Sequence, residues 1–273
     1  MGANPSYDSA ARRAPFLREL AELVRFRDLL GLLINNMNKT RYRRSALGVL
    51  WTLLNPLLNM AVLTFAFSQL FRFNLPRYPV YVLTGLIAWN FFSQTTTQSM
   101  HTLIWGGSLL RRIYLPRGIF AVASIGNGLV NLGLALVPLL AIMALLGHPF
   151  YATWWFVPIA VLLWAMFALG VALFMSTLAL FFHDVVEMWG VAIQGWFFLT
   201  PVMYPKEIIP ARFVWYLNLN PAHNLMELFR VPIYLGHLPG PNTIAAAVAE
   251  AVVALLVGWW AFTRKADEIA YRI

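Results

Sequence analysis

The sequence predicts an all-α protein embedded in a membrane. Three observations carry that prediction. First, 60% of the residues are hydrophobic and only 11% charged, with a mean hydropathy of +0.67; a soluble domain carries roughly 25% charge. Second, six apolar stretches are each long enough for a helix to cross a bilayer, about 20 residues. Third, lysine and arginine crowd onto one side of those stretches.

The stretches run 46–71, 80–105, 118–146, 155–182, 185–204 and 243–263. The third and fourth are long enough to tilt. Pro56, Pro138, Pro158 and Pro201 lie in them or at their ends, as membrane helices tolerate when neighbours satisfy the freed carbonyls. Of the 20 Lys and Arg, nine fall in 1–45, three in 106–117 and three after Phe262; the other side has five, two in 72–79 and three in 205–241. Six spans with both termini in the cytoplasm are therefore expected. The first twenty residues hold no apolar run of a secretory signal, so insertion is expected to use the internal spans.

Two segments do not fit a span. In 15–37, PFLRELAELVRFRDLLGLLINNM, Leu17, Leu20, Leu23, Val24, Leu30 and Met37 fall near one helical face, and Arg18, Glu22, Arg25 and Asp28 on the other. This predicts an amphipathic helix in the cytoplasmic interface, with a soluble partner as a second way to cover it. The outer region 205–241 contains NPAHNLMELFRVPIYLG, too short and too charged to cross. It is expected to dip into the membrane and return, its backbone satisfied by protein or water.

Catalysis within the chain is not expected. There is no GxxxxGK[ST] phosphate loop and no HExxH. Cysteine is absent, and the five histidines (His101, His148, His183, His223, His237) are scattered, so no metal site is predicted. His183, Asp184 and Glu187 are too few to serve a metal-dependent transferase. The net charge of +9 sits beside apolar spans, which fits topology and anionic lipid better than nucleic acid.

What remains is a polar face running through the spans. Asn90, Gln94, Thr97 and His101 recur at helical spacing in the second stretch, Thr52, Asn55 and Asn59 in the first, Asn127 and Asn131 in the third. Polar groups at membrane depth face a bundle interior or water. They either line a channel or hydrogen-bond between helices. Aromatics make up 15% of the chain. Tyr78, Tyr81, Trp89, Phe91, Phe92, Trp154, Trp155, Tyr204, Trp215 and Tyr216 fall near the outer surface in this topology. They form either an interfacial belt or, pointing inward, faces on which sugar rings slide. Glu250 is a lone acid deep in the last span, either a hydrogen-bonded buried group or a gate. Finally, Lys39, Arg41, Arg43 and Arg44 stand at the lip of the first span. They fix its orientation, and arginine forks also suit a phosphate.

Five blocks then resemble the ABC-2 type permeases that export polysaccharides (O-antigen, capsule, teichoic acid). They are RDLLGLLINNMNKTRYRRSALGVLWTLLNPLLNMAVLTFAFSQLF, YPVYVLTGLIAWNFFSQ, LLRRIYLPRGIF, FFHDVVEMWGVAIQGWFFLTPVMYP and LNPAHNLMELFRVPIYLG. RYRRSALGVLW and the pair TPVMYP and NPAHNL are the most specific. His183 stands where the family pattern expects Arg before Asp184, so the resemblance assigns that short loop no role. The resemblance implies a single ABC-2 transmembrane domain over 1–273, and a homodimer with two copies of a separate ATPase that binds ATP and Mg. It implies a coupling helix at 109–118, with Arg111, Arg112, Tyr114, Leu115, Pro116 and Arg117 against that ATPase. The cargo implied is a glycan on undecaprenyl diphosphate, its head group met by Arg41, Arg43 and Arg44, carried across the inner membrane along a channel that includes Trp89. The alternative is a permease for a small lipid or drug.

Overall fold

A computed structural model describes residues 24–42, 48, 50–67, 77–110, 116 and 118–265, with backbone alone at 40–42 and 105–110. Among these, every regular element is a helix: α1 (Arg27–Tyr42), α2 (Leu50–Phe65), α3 (Tyr78–Leu110), α4 (Ile119–Leu145), α5 (Val157–Phe181), α6 (Val185–Leu199), α7 (Val214–Leu219), α8 (Pro221–Tyr234) and α9 (Pro241–Arg264). Short 3-10 turns lie at Ala152–Phe156, Lys206–Ile208 and Ala211–Phe213.

Local chemistry sets several of these boundaries. Proline opens α5, α8 and α9 within the first two positions, where its missing N–H costs nothing. Asn220 caps α8, its side-chain oxygen accepting the Ala222 N–H at 3.2 Å. Gly147, at φ 61°, ends α4 in the left-handed region, and the His148 N–H then reaches back to the Met143 carbonyl at 2.8 Å.

Helix α3 is the centre of the bundle. It packs against α2, α4, α5, α6 and α8, and Val80, Val82, Leu83, Phe92 and Met100 are sealed from solvent. Helices α5 and α9 cross at their glycines. A Cβ on Gly258 would enter the Gly170 carbonyl, and one on Gly170 would enter the backbone at Ala254. Small residues permit that approach, which gains dispersion contact in a setting without hydrophobic drive between helices. Helix α1 lies on a second core cluster. Phe26, Leu29, Leu30 and Leu33 pack against Ile119, Phe120, Leu173 and Phe262, and Ile34 covers Gly126. Arg25 and Asp28 face outward. Val24, placed by the sequence on the apolar face, is 70% exposed; residues 15–23 of the expected interface helix lie outside the described ones.

Among the described residues three helical segments are long and apolar enough to cross a membrane: Ile119–Leu145, Ala152–Phe181 and Pro241–Arg264. The helices in the other expected stretches are shorter or more polar among the described residues. Helices α2 and α6 are apolar and shorter, 16 and 15 residues among the described ones, and residues 68–76 that follow α2 lie outside the described ones. Helix α3 has length to spare, at 33 residues, but its polar side chains dilute its hydropathy.

Candidate functional site

The polar residues of α3 divide into two sets by what they touch. Thr95 and Thr96 donate to carbonyls of their own helix, Phe91 and Phe92, at 2.6 and 2.9 Å. The Ser99 and Ser176 hydroxyls meet at 3.0 Å, joining α3 to α5, and Trp189 of α6 donates its indole N–H to Thr96 at 3.2 Å. These side chains bind the bundle together. The second set, on another face, borders open space.

That space has two parts, with Gln94 bordering both. Ser93, Gln94, Thr97, Gln98, His101 and Thr102 form one wall of an open groove of about 700 Å³. Leu33, Asn36 and Met37 of α1 form the other. Gln94 also borders a small recess of about 40 Å³. Asn90 joins it there from α3, Thr52 and Asn55 from α2, and Asn131 from α4, with Trp51 and Phe91 among the apolar walls. Three polar stripes on three separate helices therefore meet at one place. Gly128 makes the meeting possible: a Cβ there would press into Thr95 and Phe91, so its absence lets α4 approach α3.

The remaining predicted lining residues are placed differently. Asn127 is 1% exposed and donates to the Gln98 side-chain oxygen at 2.9 Å, so it supports a groove residue from behind. Asn59 donates to the Asn55 carbonyl at 2.9 Å and to its side-chain oxygen at 2.6 Å, orienting a recess residue. Trp89 borders neither space. It sits in an aromatic cluster, 5.8 Å from Phe92, 6.2 Å from Trp196 and 5.6 Å from Phe197. Of the outer aromatics, Tyr78, Tyr81, Phe91 and Phe92 are buried and Trp155 and Trp215 exposed. The side chain of Arg41, at the end of α1, lies outside the described residues, as do Arg43 and Arg44. So do Arg111, Arg112, Tyr114, Leu115 and Arg117; Pro116 is described, buried, and its carbonyl accepts the Ile119 N–H at 3.0 Å. Among the described residues no three His, Asp or Glu come together as a metal site.

The N-terminal end of α3 carries a second polar construction that the sequence did not announce. After α6 the chain bends through 200–205, and its carbonyls are taken up by side chains. Arg230 of α8, 2% exposed, donates to Pro201 and Val202 at 2.8 and 2.6 Å. Tyr78 donates to the Met203 carbonyl and Tyr81 to that of Tyr204 at 2.9 Å. Gly85 leaves room for the Arg230 fork and the Val202 carbonyl. Asn220 accepts the Trp196 indole N–H at 2.9 Å and donates to the Thr200 hydroxyl at 3.0 Å. Asn224 donates to Glu250 at 2.7 Å, giving that lone acid a partner. The charges on α8 interact too. Lys206 and Glu227 pair at 2.9 Å. Burial raises the Glu227 pKa, but Arg230 and Lys206 outweigh it and hold the carboxyl below its usual range. Burial pushes His223 down to about 4, with Lys206 and Arg230 acting in the same direction against Glu227. The signal available in the sequence was Arg230 itself, a lone cation in a semi-apolar helix, which needs partners wherever it is buried.

Comparison with known proteins bears on these features. The model of the ABC-2 type transporter family matches residues 28–234, a span that holds both the groove and the Arg230 hydrogen bonds. The chain is 31% identical over 262 residues to the O-antigen export system permease protein RfbA of Myxococcus xanthus, covering 94% of this chain and 100% of that protein. It is 28% identical over 204 residues to RfbA of Klebsiella pneumoniae, covering 74% and 79%. It is 23% identical over 226 residues to the polysialic acid transport protein KpsM of Escherichia coli, covering 81% and 86%.

Proposed function

The chain belongs to the ABC-2 type transporter family, and from that premise we propose that it is the membrane subunit of an ATP-driven polysaccharide exporter of the bacterial inner membrane. The observation that carries the reading is the convergence of Thr52, Asn55, Asn90, Gln94 and Asn131 on one recess beside a groove of about 700 Å³. Asn131 among them is buried and Thr52 and Asn90 half-buried, and a gathering of polar side chains inside an otherwise apolar bundle suits the passage of something polar. The names of the relatives, O-antigen export and polysialic acid transport, support a glycan as that cargo.

In this reading six segments span, both termini are cytoplasmic, α1 lies in the interface, and 205–241 re-enters from the outer side. Two copies face each other across the groove and enclose it. ATP is hydrolysed on two copies of a partner subunit, docked against 109–118 through Arg111, Arg112 and Arg117. Arg41, Arg43 and Arg44 receive the diphosphate of an undecaprenyl-linked glycan at the cytoplasmic mouth, where a bidentate and permanently charged fork suits phosphate oxygens.

The test is co-purification with the candidate ATPase in lipid nanodiscs, followed by ATP turnover with and without an undecaprenyl-linked glycan. Stimulation by the glycan, lost in the Arg111→Ala and Arg112→Ala double variant, is expected. Stable association with no response to any glycan would favour a small lipid or drug as cargo. No association would remove the transport assignment.

A further inference from the structure

We propose that the recess and groove select uncharged sugar units, so that the polymer carried is one whose repeats bear no formal charge. The inference rests on the export reading and specifies its cargo.

The polar lining is uniform in kind. Among the described residues, amides, hydroxyls and the His101 imidazole supply all of it; no Lys, Arg, Asp or Glu borders either space. Asn131 adds the discriminating detail. It lines the recess, is 9% exposed, and its side-chain oxygen has no hydrogen-bond partner. The side-chain oxygen of Asn127, one turn earlier, is in the same condition. An unpaired buried acceptor needs a donor. A sugar hydroxyl donates; at a position where an ionised carboxylate or sulfate replaces it, only an acceptor remains. A charged repeat would also leave its hydration behind with no cation among the described wall residues to replace it. The recess, at about 40 Å³, takes a hydroxyl or hydroxymethyl group, while the groove has room for rings. Phe91 and Trp51 offer aromatic faces beside the amides.

In the sequence, positive charge follows the groove residues of α1. Lys39 follows the groove residue Met37 by two positions, and Arg41, Arg43 and Arg44 come next. Cations in that order suit the single phosphate-bearing end of a lipid-linked chain, with the neutral sugars following into a neutral lining.

The experiment compares two undecaprenyl-linked polymers of equal length in proteoliposomes holding the full chain and its ATPase. One polymer is built of neutral hexoses; the other carries a carboxylate on every repeat. The neutral polymer is expected to move faster by about tenfold or more, the scale on which a single lost polar contact acts. Asn131→Leu should slow it by about fivefold, on the same scale, with the thermal midpoint unchanged. Asn90→Arg, which puts a cation on the wall, should shift the preference towards the carboxylated polymer. Equal or faster movement of the carboxylated polymer by the native chain overturns the inference and leaves export standing. Movement of neither polymer overturns export, and the inference with it.

Discussion

Arg230 of α8 lies with its guanidinium carbon 4.0 Å from the centre of the Tyr81 ring on α3 and donates to that tyrosine's hydroxyl at 2.9 Å. The same fork holds the carbonyls of Pro201 and Val202. One side chain thus joins the central helix, the bend after α6 and the outer helix. Cation–π attraction strengthens when both partners are desolvated, and the two carbonyls would otherwise be buried without donors. Arg230→Met keeps the bulk and removes every donor. It should cost about 3 kcal/mol, the range for unsatisfied buried groups, read as a fall in the thermal midpoint of the purified protein. Tyr81→Phe removes two hydrogen bonds, one to the Tyr204 carbonyl and one from Arg230, and should cost about 2 kcal/mol. A midpoint in Arg230→Met equal to that of the native chain would show that the bend holds itself.

The crossing of α5 and α9 is set by backbone rather than by side chains. A Cβ on Gly258 would overlap the Gly170 carbonyl, and no flexible group stands there to yield. Gly258→Val should therefore push the helices apart and cost about 3 kcal/mol, at the upper end for overpacking. Gly133, which has nothing within 4 Å of a built Cβ, is the control: Gly133→Ala should be neutral or stabilising by up to about 1 kcal/mol, since alanine favours helix. Comparable losses from the two variants in a monodispersity and melting assay would contradict a steric origin.

The helices were legible because their apolar runs are long and bounded by Pro and Gly; α8 and α9 open on prolines visible in the sequence. The lining was legible in part. Asn90, Gln94, Thr97 and His101 follow helical spacing, and all four border the recess or groove. Thr95, Thr96 and Ser99 are of the same chemical kinds, and only their neighbours show that they serve helix contacts. Trp89 precedes Asn90 by one residue, which on a helix is a rotation of about 100°, enough to carry it from the lining into the aromatic cluster. The Arg230–Tyr81 contact spans 149 positions, and no local pattern announces a pairing that tertiary packing creates.

Glu250 of α9 and Asn224 of α8 join two packed helices by a hydrogen bond of 2.7 Å. Asn224→Leu takes away the donor and leaves the carboxyl group among apolar neighbours, at a cost of about 2 kcal/mol. Glu250→Gln preserves an acceptor and should be tolerated within about 1 kcal/mol. The double variant Asn224→Leu with Glu250→Leu should recover much of the loss, because removing both partners of a buried pair is milder than removing one. A double variant as unstable as the sum of its single changes would show that the two residues are not coupled.

His223 should make the protein acid-sensitive in a defined window. Its imidazole is buried on α8 and held neutral down to about 4, against an ordinary 6.5. The unfolded chain takes up a proton as pH falls through 6.5, while the folded chain refuses it until about 4. Folded stability therefore declines over that interval, by about 2 kcal/mol at pH 5 relative to pH 7.5. Glu227 acts in the same direction but lower: its carboxyl is held below the usual range, so its contribution is lost only as pH falls through that lowered value. His223→Leu removes the first loss and keeps the second. The measurement is the thermal midpoint in detergent at pH 7.5 and pH 5. The native chain should lose about 5 °C or so between them, and the variant should lose little. An equal drop in both would place the acid sensitivity on another group.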